Sequence, residues 1–385
     1  MNRSLMSYVH CGLPLNRIVA VIVFSALGPV ILMTAPVVAV QYQVQLHLGL
    51  GQAGQLIGIE ALLMSLATFP AYVWQRRFDW RKVAACAAIL FIVTNVLCSM
   101  TSSFHVLLCL RAVNALASGS LMVISMSTAI DSSDPNRVYG LWVLGQLLLA
   151  AIGIWVLPVL FSHYGLAVLY DGLALLMLLS LPLVWSLSNG HERHQKGSGI
   201  SARERGPLRW IVSGLIGILL FYCALSAIWT FMDTIAMKAS LSTTFTRRAL
   251  SLATLMGILG SLCATVIGER RTRSAMIVFG GGLMLLSIVL LIGHVDPLRY
   301  AVAAMVFKFS WTFALPFILA SIASMDRTGS VMNSANIVIG AGLAIGPVLA
   351  GDILQSGANI LAVLSTSMVL LLLAIIIMTV MERRK

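Results

Sequence analysis

Charge is what this sequence has least of. Asp, Glu, Lys and Arg together make up 10% of its 385 residues, and only 13 of them are acidic against 25 basic. Soluble domains carry about 25% charged residues, so a water-facing surface of ordinary size cannot be built from this chain. Catalytic and metal motifs are missing as well. No Gly-x-x-x-x-Gly-Lys-Ser/Thr stretch offers a phosphate cradle, which excludes a nucleotide-driven pump. The absence of His-Glu-x-x-His, of a Gly-x-Ser-x-Gly elbow and of His/Asp groups at ligand spacing gives no site for an enzyme, a metal or a cofactor. The six cysteines (Cys11, Cys86, Cys98, Cys109, Cys223, Cys263) show no Cys-x-x-Cys spacing, and they read as small apolar residues in a chain that needs no disulfides. No span carries the repeated polar stripe of a channel.

Apolar length is what the sequence has instead. Of its residues 59% are hydrophobic, and they gather into twelve runs close to the 20 or so residues that a helix needs to cross about 30 Å of hydrocarbon. The runs are Ile18–Val40, Gln55–Trp74, Val83–Met100, Val106–Ala129, Val138–Phe161, Leu166–Leu187, Trp210–Met237, Leu250–Ile267, Ala275–Ile292, Tyr300–Ala323, Ala335–Leu354 and Ile360–Met381. The expectation is an all-α membrane protein with twelve transmembrane helices. Cations collect on alternate loops: Arg3 and Arg17, Arg76 to Lys82, Arg137, Arg193 to Arg209, Arg270 to Arg273, Arg327 and Arg383 to Lys385. The positive-inside rule makes that face cytoplasmic and both termini with it, in a multi-pass protein of the inner (plasma) membrane. The net charge of +12 then belongs to loops beside an anionic leaflet, and no nucleic-acid partner is expected.

One long polar loop interrupts the pattern. It defines an N-terminal bundle over 1–188, a cytoplasmic linker over 189–209 and a C-terminal bundle over 210–385, six spans on either side. The halves echo each other. Gln75-Arg76-Arg77 and Gly268-Glu269-Arg270 lie 193 residues apart (268 − 75), and Asp134 and Asp326 lie 192 apart (326 − 134). Two similar bundles that rock about a shared cavity are the economical reading.

Three stretches carry a family resemblance. After the second run, Tyr72-Val73-Trp74-Gln75-Arg76-Arg77-Phe78-Asp79-Trp80-Arg81-Lys82 keeps a basic cluster, and Gly268-Glu269-Arg270-Arg271-Thr272-Arg273 repeats it with an acidic neighbour. The fourth run holds Arg111-x-x-x-Ala115-x-Ala117-Ser118-Gly119, and the eleventh Gly340-Ala341-Gly342-x-x-x-Gly346-Pro347-x-x-x-Gly351. In these features the chain resembles the major facilitator superfamily, in particular bacterial drug and metabolite antiporters. The resemblance implies two six-helix bundles and alternating access without a cofactor. It also implies a cavity lined by helices one, four, seven and ten, and a cytoplasmic gating loop of Arg76, Arg77, Asp79, Arg81, Glu269, Arg270 and Arg273. Proton-coupled export of a small amphipathic or anionic solute by a monomer is the expected function. Uptake of a small organic anion, or a non-transporting receptor or scaffold on the same fold, are the alternatives.

Charges inside the spans mark the candidate site. An ionised side chain at mid-bilayer costs about 2.5–3.5 kcal/mol on insertion scales. Glu60 and Arg111 fall at similar depths, about 9 Å in, so they can meet. Such a pair either couples proton movement to a conformational change or permanently ties two helices. Glu60, with Asp233, is the expected proton carrier. Arg111 and Lys308, with Asn114, Gln146, Tyr222, Trp229 and Trp311, are the expected substrate contacts. Whether Lys308 pairs with Asp233 is left open.

Overall fold

A computed structural model describes residues 14–129, 135–187, 207–267, 272–323, 330–357 and 359–384. Among these residues every regular element is a helix. That follows from the solvent, because a backbone crossing hydrocarbon must satisfy its N–H and C=O groups within its own segment. The N-terminal half comprises α1 (Leu15–Leu27), α2 (Val30–Met33), α3 (Ala35–Leu46), α4 (Leu50–Leu66), α5 (Thr68–Arg77), α6 (Trp80–Ser99), α7 (Phe104–Ala129), α8 (Pro135–Tyr164) and α9 (Ala167–Ser180). A short 3₁₀ turn, Leu181–Ser186, follows α9. The C-terminal half comprises α10 (Leu208–Thr230), α11 (Met232–Lys238), α12 (Thr243–Ile267), α13 (Arg273–Leu290), α14 (Pro297–Ala323), α15 (Ser330–Gln355) and α16 (Ile360–Arg384).

Ten helical stretches among the described residues are long and apolar enough to cross a membrane. The first expected span is not one of them, nor is α12. The single helix read over Ile18–Val40 is in fact three, and its prolines explain the breaks. Pro29 and Pro36 have no N–H to donate to the preceding turn. Val37 and Val38 both donate to Thr34 O (3.1 and 3.2 Å), so the Met33 carbonyl receives no helical N–H. Prolines account for two further departures. The second span starts earlier than Gln55, at Leu50, and breaks at Ala67 just before Pro70; the sixth ends in the 3₁₀ turn that contains Pro182. The seventh expected span divides at Phe231 into α10 and α11.

Packing falls into two matching sets. In the N-terminal half α1 packs on α8, α4 on α7, and α6 on both α7 and α9; in the C-terminal half α10 packs on α15, α12 on α14, and α13 on both α14 and α16. Counted by span, the partners correspond one for one. The halves meet along two seams related by the same exchange, α4 with α15 and α12 with α8. Glycine allows the first seam. A methyl group at Gly54 would overlap the Pro347 carbonyl, and one at Gly58 would lie 2.6 Å from the Ala344 oxygen. At the end of that seam the Gly51 N–H donates to Gln355 Oε1 (3.0 Å). In the second seam Ser251 Oγ donates to Ala151 O (2.9 Å).

The outside is as apolar as the inside. Leu141–Tyr164 is strongly apolar, yet most of it is not buried inside the protein. Ile152, Trp155 and Val159 are exposed. A contiguous surface of this kind marks contact with lipid rather than water. Hydroxyls within the helices are satisfied locally, as where Thr34 Oγ1 donates to Val30 O (2.7 Å), Ser118 Oγ to Asn114 O (2.9 Å) and Thr254 Oγ1 to Leu250 O (2.9 Å).

Replacing Gly54 by Leu tests the α4–α15 seam. Overpacking costs about 1–3 kcal/mol. The expected result is a lowered thermal midpoint for the detergent-purified protein, whereas Gly282→Ala, whose new methyl group meets nothing within 4 Å, leaves the midpoint unchanged or raised.

Candidate substrate and coupling site

Glu60 is the eleventh residue of α4 and Arg111 the eighth of α7. Because α4 begins at Leu50, Glu60 lies about 15 Å along its helix, deeper than the sequence alone indicates. The two side chains meet as that reading expected. Arg111 Nη2 is 2.6 Å from Glu60 Oε1, and each side chain is 1% exposed. Neighbouring helices complete the arginine's surroundings. Arg111 Nη1 donates to Asn95 Oδ1 of α6 (3.1 Å), and the guanidinium lies 5.7 Å from the centre of the Tyr170 ring of α9. Tyr170 shares a 2.9 Å hydrogen bond with Tyr42 of α3. Beneath it Asn114 Nδ2 donates to Thr94 Oγ1 (2.8 Å) and Phe91 O (3.2 Å). Neither Glu60 oxygen makes a hydrogen bond: Oε1 has its ion-pair contact with Arg111 and Oε2 has no partner at all. That is unusual in an interior where nearly every polar atom has a partner.

All of these partners belong to the N-terminal half. The side-chain partners shown for Arg111 and Asn114 are therefore all within that half.

The C-terminal half handles its buried charge differently. Lys308 is the twelfth residue of α14 and 1% exposed. Its Nζ lies 3.7 Å from the centre of the Trp229 ring and 4.0 Å from that of Trp311. Trp229 stacks in parallel on Phe307, and Tyr222 faces Trp311. Among the described residues no carboxylate lies within ion-pair distance of Lys308, so the pairing with Asp233 does not form. Asp233 is buried in α11 beside Tyr300, whose hydroxyl donates to Met232 O (3.1 Å). Two desolvated cation–π contacts of about 2 kcal/mol each match the insertion cost of about 2.5–3.5 kcal/mol, which explains how an ammonium stays buried without a carboxylate. The box also touches the other half, because Trp229 Nε1 donates to the Met33 carbonyl that the break after α2 leaves free (3.2 Å).

The remaining expected residues separate by location. Gln146 Nε2 donates to Ser25 O (3.0 Å) and ties α8 to α1. Of the gating loop, Asp79 caps α6 by accepting from Arg81 N (2.9 Å), and Arg81 Nε donates to Leu187 O (2.9 Å), both within the N-terminal half. Arg77 is exposed and Arg273 opens α13. Glu269 and Arg270, like Asp134, Asp326 and most of the linker, lie outside the described residues, as does the Arg76 side chain. Sequence reasoning missed Asn95 and Tyr170 as partners of Arg111. The usable signal for the first was an amide side chain, beside Thr94, within a largely apolar third run. Two open clefts, of about 520 Å³ beside Gln55 and Asp352 and about 700 Å³ beside Lys238 and His294, are lined by neither Arg111 nor Lys308.

Unpairing a buried ion pair costs about 3–5 kcal/mol, more than replacing both partners by apolar groups. Arg111→Met alone is therefore expected to lower the thermal midpoint further than the double variant Arg111→Met with Glu60→Leu; equal losses would show that the pair is not coupled.

Comparison with known proteins agrees with this architecture. Residues 18–347 match the sequence pattern of the Major Facilitator Superfamily. The fold is similar to that of a bacterial homolog of the human lysosomal transporter Spinster, in its inward-facing and unoccupied conformation, with 15% identity, a TM-score of 0.69 and coverage of 100% of this chain and 98% of that one. It is also similar to the nucleoside transporter NupG, with 11% identity, a TM-score of 0.71 and coverage of 96% and 99%. The described residues carry the fold of these transporters, and the chain belongs to the Major Facilitator Superfamily.

Proposed function

We propose that the protein is a secondary active transporter that exports a small amphipathic or anionic solute in exchange for protons. In this reading it is a monomer of twelve crossings with both termini cytoplasmic, in the inner membrane, and α1–α3 and α12 supply the two crossings beyond the ten long apolar stretches. The observation that carries the proposal is the buried Glu60–Arg111 pair, whose carboxylate makes no hydrogen bond through either oxygen. A proton on Glu60 cancels the charge that holds Arg111. The guanidinium is then left with Asn95 and Tyr170, so α4 and α7 lose their strongest link. Since α4 also forms one of the two seams between halves, the protonation state of Glu60 biases how the halves meet. Lys308, Trp229, Trp311 and Tyr222 supply the substrate contacts from the other half, and Asp233 is a second proton carrier beside Tyr300.

Everted membrane vesicles with an imposed pH gradient and a ΔpH-sensitive dye test the coupling. Addition of transported solutes from an amphipathic panel is expected to release protons in the parent and to release at least tenfold less in Glu60→Gln. The coupling assignment fails if the two respond alike.

A further inference from the structure

The two buried cations among the described residues differ in one respect that bears on the solute. Arg111 has a carboxylate of its own, whereas Lys308 has only the faces of Trp229 and Trp311. We propose that the transported solute is a small organic monoanion that binds by drawing Lys308 out of the indole box, and that the two indoles act as a stand-in counterion while the carrier is empty. This rests on the transporter reading and deepens it by naming the substrate class.

Three observations carry the inference. Lys308 is fully buried yet lacks a carboxylate partner among the described residues, so an entering carboxylate displaces neutral π contacts and breaks no existing ion pair. The box sits where the halves touch, through the Trp229–Met33 hydrogen bond, and a solute exchanged between two faces has to bind at that boundary. The ammonium lies against Trp229 and Trp311, with Phe307 stacked on the first and Tyr222 beside the second, all buried. They suit an aromatic or aliphatic body, and the one buried ammonium among them matches a single carboxylate.

The box has a kinetic consequence. An empty carrier must return with Lys308 still charged or otherwise stabilised, and the indoles give the ammonium a partner during that step. Without them the return is favourable only when an anion is bound, which turns net transport into obligatory exchange.

Calorimetric titration of the purified full-length protein with benzoate and octanoate, against benzamide and octanamide as uncharged counterparts, tests the anion site. Both carboxylates are expected to bind at least tenfold more tightly than their amides, with the preference lost in Lys308→Gln and retained in Lys308→Arg. No preference in the parent, or an undiminished preference in Lys308→Gln, overturns the site. In proteoliposomes Trp311→Leu is expected to reduce net efflux of the bound carboxylate at least tenfold more than its counterflow. Equal reduction of both overturns the stand-in role of the indoles. A parent that binds the anions and moves none in either assay overturns the transport reading and supports the anion site by itself.

Discussion

Ionised groups held in a medium without water are the constraint around which this structure is arranged. Each must find a compensating charge, a dipole or a π face, because hydration is not on offer and the insertion cost is a sizeable share of a domain's stability. Glu60 and Arg111 answer the demand with each other. The arginine's further contacts, Asn95 and Tyr170, then recruit α6 and α9 and through Tyr42 reach α3. One ion pair thereby organises most of the N-terminal bundle, and a change in its charge state is felt by every helix it touches.

Helix pairing corresponds between the halves, but their electrostatics do not. The fourth and tenth spans each carry one cation, on α7 and α14, in bundles assembled from the same helix pairs. In the first the cation is neutralised by α4. In the second the corresponding helix, α12, brings no acid, and aromatic rings do the work. The two halves thus share helix pairings while handling their buried charges differently, with an ion pair on one side and a cation against aromatic rings on the other.

Broken helices connect the two. Proline in the first span frees the Met33 carbonyl, and the indole that accepts Lys308 donates its N–H to that carbonyl. An uninterrupted helix would have used the carbonyl internally and left no backbone acceptor for the opposite bundle. The break is thus where a side chain of one half bonds the backbone of the other, while the glycine-lined α4–α15 seam keeps the halves close.

Much of this was legible in the chain itself. Apolar run length announced membrane helices, because hydrocarbon thickness sets their size, and the positions of Glu60 and Arg111 within their runs allowed them to meet, although Glu60 lies deeper than its run indicated. Helix breaks were less visible: Pro29 and Pro36 were in plain sight, yet a hydropathy run does not register a missing N–H. The identity of partners was hidden further. Sequence spacing gives axial depth but not rotation about the helix, so it could not tell that Lys308 turns to Trp229 and Trp311 instead of Asp233, or that Asn114 faces α6. Composition and periodicity by themselves determined that this protein crosses a membrane as helices and carries costly charges inside them. Only the tertiary packing decided which charge is neutralised and which is left available, because that depends on the faces neighbouring helices present to one another.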